Sequence, residues 1–207
     1  MKSSRLFVFA VLFGMTVSAA YAEEAAKPAA AEDKVAAEKA AMMEKVKAMT
    51  SPQDAHKALE PLAGKWTYTS KFWMAPDAPP EEKSGTAENT MVYGGRFLKQ
   101  EVKGEWMGQP FEGLGFTGYD NIRGQYETVW LDSMATGILF ISGQFDSATK
   151  TLAQSGSNSC PITGEKDRKG RSDWTVTDND RNAYTMYMVG ADGKESKMME
   201  ILYTRAQ

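Results

Sequence analysis

The chain has 207 residues, 24 basic and 27 acidic side chains, a formal net charge of −3 and one cysteine. One cysteine excludes an intrachain disulfide. A mildly acidic chain with no run of basic residues has no footprint for nucleic acid or for an anionic membrane surface.

In chain order, Lys2 and Arg5 precede an apolar run over residues 6–17, and Ala20-Tyr21-Ala22 places small residues where a signal peptidase reads them. A secretory signal peptide over residues 1–22 is therefore expected, cut between Ala22 and Glu23, leaving a periplasmic or secreted protein. The run is too short to span a bilayer, so no stable membrane insertion is expected after cleavage. Loss of Lys2 and Arg5 leaves 22 basic against 27 acidic groups, a formal −5.

Residues 23–63 contain no Phe, Trp or Tyr and 13 alanines. From Gly64 onward come all five tryptophans, seven of eight tyrosines and 17 of 18 glycines. This shift in composition divides an Ala/Glu/Lys-rich arm, residues 23–61, helical or partly disordered, from a compact aromatic domain, residues 62–207. Within the arm, Val35, Met42, Met43, Val46 and Met49 approximate one apolar stripe. A second short helix is expected in "SPQDAHKALEPLAG", with Pro52 in its first turn and Asp54 near its amino end. His56, the single histidine, is expected on that helix's surface.

The remainder reads as ten strands, at residues 65–74, 85–93, 96–106, 110–119, 125–133, 137–145, 151–157, 169–177, 183–189 and 196–205. The signals are period-two alternation, β-branched and aromatic enrichment, and glycine-bearing turns such as "YGGR" and "ADGK". No helical pattern intervenes, which excludes a parallel sheet with crossover helices. Ten sequential antiparallel strands leave exposed edges unless they close, so an all-β, closed up-and-down barrel preceded by a helical arm is expected. In the first strand Trp66, Tyr68, Phe72 and Met74 share one face, while Lys65, Thr67, Thr69 and Lys71 share the other.

Several segments together resemble an exported bacterial family known as domain of unknown function 1579: "LAGKW", "KFWMAPDAPP", "GRFLKQE", "MGQPFEGLGFTGYDN", "WLDSM" and "DGKESKMMEILYTR". The resemblance runs from Leu62 to Arg205. It implies a lipocalin-like barrel and carries over neither an activity nor catalytic residues.

Gly113, Gly115 and Gly118 show a G-x-G-x-x-G spacing. A dinucleotide loop needs a helix next; here turn and strand signals follow, so the glycines are read as relief in a coiled strand or room for a ligand. No histidine lies in any expected strand, which removes haem ligation on histidine and leaves zinc without nitrogen ligands. No metal, cofactor or catalytic residue is assigned. Cys160 is read as an inert thiol beside Pro161.

A barrel of this size suits a lumen lined by apolar groups with a few polar ones. Trp66, Tyr68, Phe72, Phe97, Phe116, Trp130, Met186 and Met188 are candidate wall residues. Glu200, Tyr203 and Arg205 are candidate polar groups, the last two to hold a ligand carboxylate. The expected role is non-enzymatic binding of a small, mostly apolar ligand. An interaction module with a filled barrel and an enzyme using cavity carboxylates are the alternatives. Composition leaves the oligomeric state open.

Overall fold

The computed structural model describes residues 27–75, 78–160, 164–190 and 193–207. The expected signal peptide, residues 1–22, lies outside them. The chain divides into two compact units, Met1–Lys47 and Ala48–Gln207. Helix α1 (Lys27–Thr50) runs through the alanine-rich segment, where Ala, Glu, Lys and Met carry high helix propensity.

The second unit begins with α2 (Asp54–Lys57) and a 3₁₀ turn (Glu60–Leu62). Ten strands follow: β1 (Gly64–Phe72), β2 (Glu81–Val92), β3 (Phe97–Trp106), β4 (Gln109–Asp120), β5 (Gln125–Asp132), β6 (Leu139–Asp146), β7 (Thr151–Asn158), β8 (Arg168–Val176), β9 (Arg181–Val189) and β10 (Glu195–Arg205). Each pairs antiparallel with its chain neighbours, and β10 returns to β1 from Trp66↔Arg205 to Phe72↔Met199, closing the barrel. Closure leaves no unpaired edge. β2 begins four residues ahead of its expected start. "EEKS" reads as loop by charge, but the upper half of β1 needs a partner, and Glu81 pairs with Phe72.

The hairpin turns β2–β3, β4–β5, β6–β7 and β8–β9 gather at one end of the barrel, with α2 and the 3₁₀ turn. Here Leu59, Leu62, Leu98, Tyr126, Leu152, Trp174 and Val176 form one buried cluster. The plug is pinned through its backbone carbonyls. Trp66 Nε1 and Asn89 Nδ2 both donate to Leu62 O, at 3.0 and 2.8 Å. Tyr126 donates to Ala55 O at 2.6 Å, and the Arg205 guanidinium donates to Ala63 O and Pro61 O. Gly64 starts β1 at φ +130°, where a Cβ would lie 2.2 Å from Arg205 Nη1. The glycine before Trp66 is thus required both by its backbone angle and by the arginine that closes the barrel base.

His56 is 4% exposed, not on the surface as its helix suggested. Gln53 N donates to its Nδ1 at 3.0 Å, and its ring meets Tyr119 edge-on at 5.8 Å. Four residues of helix are too few to have an outer face of their own; the side chain is part of the plug. Burial lowers its pKa from the usual 6.5.

Candidate functional site

Alternation within each strand sorts the side chains into lumen and outer wall. Toward the closed end the inward groups are sealed: Trp66, Leu98, Leu152, Trp174 and Val176 are all buried. Toward the open end, inward Trp130, Leu139, Met199 and Ile201 keep part of their surface accessible, while Met186 and Met188 are buried. The barrel is therefore sealed at its base and partly accessible above.

Two inward rings occupy space that glycines leave. Tyr68 lies across β2 and β3, where a Cβ on Gly85 or Gly104 would fall 2.4 and 2.3 Å from its hydroxyl. Trp130 lies over Gly113 and Gly115 and donates to Asp132 Oδ2 at 2.9 Å. Two glycines of the G-x-G-x-x-G spacing thus make room for a tryptophan, and the third, Gly118, makes room for the Phe97 ring on the outer wall. Tyr203 packs 5.8 Å from Tyr68. Burial raises the pKa of Tyr68, Tyr184 and Tyr203, so all three phenols are neutral donors at physiological pH.

Between β6 and β9 the open half narrows to a slot. Leu139 and Ile141 form one wall, Met186 and Met188 the other, and Asn158 and Arg168 stand at the mouth. Gly156 and Gly170 face each other across β7 and β8 in its middle. Ser172 lies at its floor, and its register partner Gln154 is one strand step below Gly156. The cavity measures about 10 Å³, room for about one water. The Met188 sulfur lies 2.6 Å from where a Cβ on Gly170 would stand, so this flexible side chain is what fills the slot. A larger depression of about 440 Å³ lies on the outer wall over Thr67, Thr69, Thr86, Leu202 and Thr204; it is not connected to these inward groups by any shared lining except Tyr68 and Gly85.

Of the expected lumen residues, Tyr68, Trp130, Met186, Met188 and Tyr203 point inward. Phe72 is at the mouth, edge-on to Trp106 at 4.4 Å. Five differ from expectation. Trp66 faces inward but is 1% exposed beneath the plug and has no surface to offer a ligand. Phe97 and Phe116 lie on the outer wall, because Leu98 and the glycines of β4 take the inward positions; Phe97 is 40% exposed. Glu200 also faces out, opposite Lys71, and accepts from Lys197 Nζ at 2.8 Å. Arg205 stacks on Trp66 at 4.2 Å and is spent on carbonyls of the closed end, so the Tyr203–Arg205 carboxylate clamp does not form. Of the strand carboxylates Glu88, Glu101, Glu105, Glu112, Glu127, Asp132 and Glu200, only Asp132 turns inward, and it is held by Trp130 Nε1 and Met134 N.

Sequence reading passed over Gln154, Asn158, Arg168, Ser172 and the Gly156–Gly170 pair. "TLAQSGSN" is polar on both faces, so its alternation carries no sign of which side is inward.

Fold and site together define a closed ten-stranded up-and-down barrel, plugged at one end and open at the other. The chain belongs to the family described as "Protein of unknown function (DUF1579)", whose model matches residues 51–205. The fold is similar to the crystal structure of Rv2717c from M. tuberculosis, with 18% identity, a TM-score of 0.57, and coverage of 76% of this chain and 100% of that one. A redesigned β-barrel, b11L5F_LGL, aligns at 13% identity over 72% of this chain and 96% of its own, with a TM-score of 0.39, too low to carry weight. No curated protein matches.

Proposed function

We propose that this protein is an exported, non-enzymatic binder of a small, mostly apolar ligand, held in the slot at the open end of the barrel. The observation that carries this reading is the contrast along the barrel axis. Inward side chains are sealed at the plugged end, whereas Trp130, Leu139, Met199 and Ile201 toward the open end are partly accessible, and the buried Ile141, Met186 and Met188 flank two register-paired glycines. Glycines in mid-strand pack poorly and mark places where another group approaches the backbone closely. The slot is occupied by Met186 and Met188, whose thioether chains reorient cheaply, so a ligand would displace methionine rather than backbone. Each Å² of apolar ligand surface taken from water contributes about 25 cal/mol before ordering costs. The leader-like residues 1–22 support export.

Native mass spectrometry of the protein purified from its own host tests both parts. The expected result is a chain beginning at Glu23 with a retained small molecule, which the slot-filling variant Met188→Trp loses. A full-length chain would remove export. An adduct-free protein that also fails to take up naphthalene in equilibrium dialysis would remove ligand binding.

One observation favours an interaction module instead. Met74, Met107, Met134 and Ile138 are exposed on the three neighbouring loops β1–β2, β3–β4 and β5–β6 at the open end. In that case Met74→Lys with Ile138→Lys would abolish partner capture and leave naphthalene uptake unchanged.

A further inference from the structure

We infer that the floor of the slot recognises a neutral hydrogen-bond acceptor, the carbonyl of a ketone, ester or amide, on the buried end of the ligand. This inference rests on the ligand-binding reading above.

A chain of side-chain hydrogen bonds crosses the lumen wall at this level. Thr117 Oγ1 and Thr128 Oγ1 are 2.9 Å apart, and Thr128 donates to Gln154 Oε1 at 2.9 Å. That uses the acceptor end of the Gln154 amide. The donor end, Nε2, is buried and has no partner among the described residues, on a side chain only 6% exposed. A buried amide N–H left unmatched costs about 1–3 kcal/mol, so this nitrogen is a standing demand for an acceptor. Gln154 is the inward residue directly below Gly156, and its register partner Ser172 lines the slot.

The charge of that acceptor follows from what surrounds it. The inward polar groups at this level, Thr117, Thr128, Gln154 and Ser172, are neutral, and of these Ser172 lines the slot itself. The cations beside the slot are already engaged: Arg171, which also lines it, pairs with Asp173 and Glu195. Lys83 Nζ is 2.9 Å from Glu105 Oε1, while Arg168 Nε donates to Val189 O at 3.2 Å and lies 3.7 Å from Glu165. Burying a carboxylate at the floor with no cation beside it is far more costly than burying a carbonyl that accepts one N–H. The walls above the floor are apolar or glycine backbone, which suits a hydrocarbon or aromatic body reaching back toward Arg168 and Asn158.

Equilibrium dialysis of the full chain against three probes of one shape, naphthalene, 2-acetylnaphthalene and 2-naphthoate at pH 7.5, tests the inference. The expected order places 2-acetylnaphthalene about five- to tenfold tighter than naphthalene, with 2-naphthoate no tighter than naphthalene. The near-isosteric Gln154→Met should erase the advantage of the ketone while leaving naphthalene affinity within about twofold; that retained affinity also reports an intact slot. Equal binding of ketone and hydrocarbon by the unaltered protein overturns the inference and leaves ligand binding standing. Tightest binding by 2-naphthoate overturns it in favour of an anionic head group. No uptake of any probe overturns both.

Discussion

Replacing Gly113 with alanine would place a methyl carbon 2.3 Å from Cζ2 of Trp130 and 2.6 Å from Cη2. Carbon atoms rest at about 3.5–4.0 Å, so ring and wall must separate by roughly 1.2 Å. The indole is not a free end that can swing away, because its Nε1 is tied to Asp132 Oδ2 at 2.9 Å. Relief therefore strains the strand or breaks a hydrogen bond to a carboxylate. The first costs about 1–3 kcal/mol and the second about 1.5–3 kcal/mol, which brackets a loss of about 1–3 kcal/mol. Gly115→Ala meets the same ring at 2.9 Å, a smaller overlap, and should cost about 1–2 kcal/mol. Urea unfolding followed by far-ultraviolet circular dichroism gives both values without relying on tryptophan emission. In a domain of this size, 3 kcal/mol corresponds to roughly 6–12 °C in Tm. Trp130→Leu removes the obstacle, so Gly113→Ala should cost less than about 1 kcal/mol in that background. Equal losses for the two glycine variants, or no coupling to Trp130, would refute the assignment of this glycine run to tryptophan packing.

Two further outcomes follow from the plugged end. Because burial lowers the His56 pKa below 6.5, the unfolded chain binds this proton more readily; stability is full above pH 6.5 and falls on acidification toward the folded-state pKa, by about 1.4 kcal/mol for every tenfold gap between the two dissociation constants. The urea midpoint between pH 7.5 and 5.0 should therefore fall more steeply for the unaltered protein than for His56→Gln, and equal slopes would exclude His56 as the source. Trp66→Phe loses the bond to Leu62 O and part of the contact with Arg205. It should cost about 1–3 kcal/mol with no change in naphthalene affinity; weakened binding at unchanged stability would place Trp66 in the ligand wall after all.

What the sequence by itself determined is the architecture. The turn residues between strands, the even spacing of β signals and the want of helical periodicity between them allow one economical arrangement of ten antiparallel segments, and the edges force it shut. Strand β1 could be assigned face by face because its alternation is unmixed, with lysine and threonine opposite tryptophan and tyrosine. Where both faces carry similar groups, period-two patterning has no sign. Phe97 stands beside Leu98, Phe116 beside Gly115, and β7 carries polar groups on both faces, so which residue enters the lumen waited on register with the neighbouring strands. Arg205 shows the same limit: its strand is legible, but the carbonyls of Pro61, Ala63 and Asn179 that engage it come from residues close by only in space. The slot is the extreme case. Its floor, glycines and mouth come from β6, β7, β8 and β9, and closure of the barrel assembles them, because a cavity is a property of what several strands leave unfilled and no single segment encodes it.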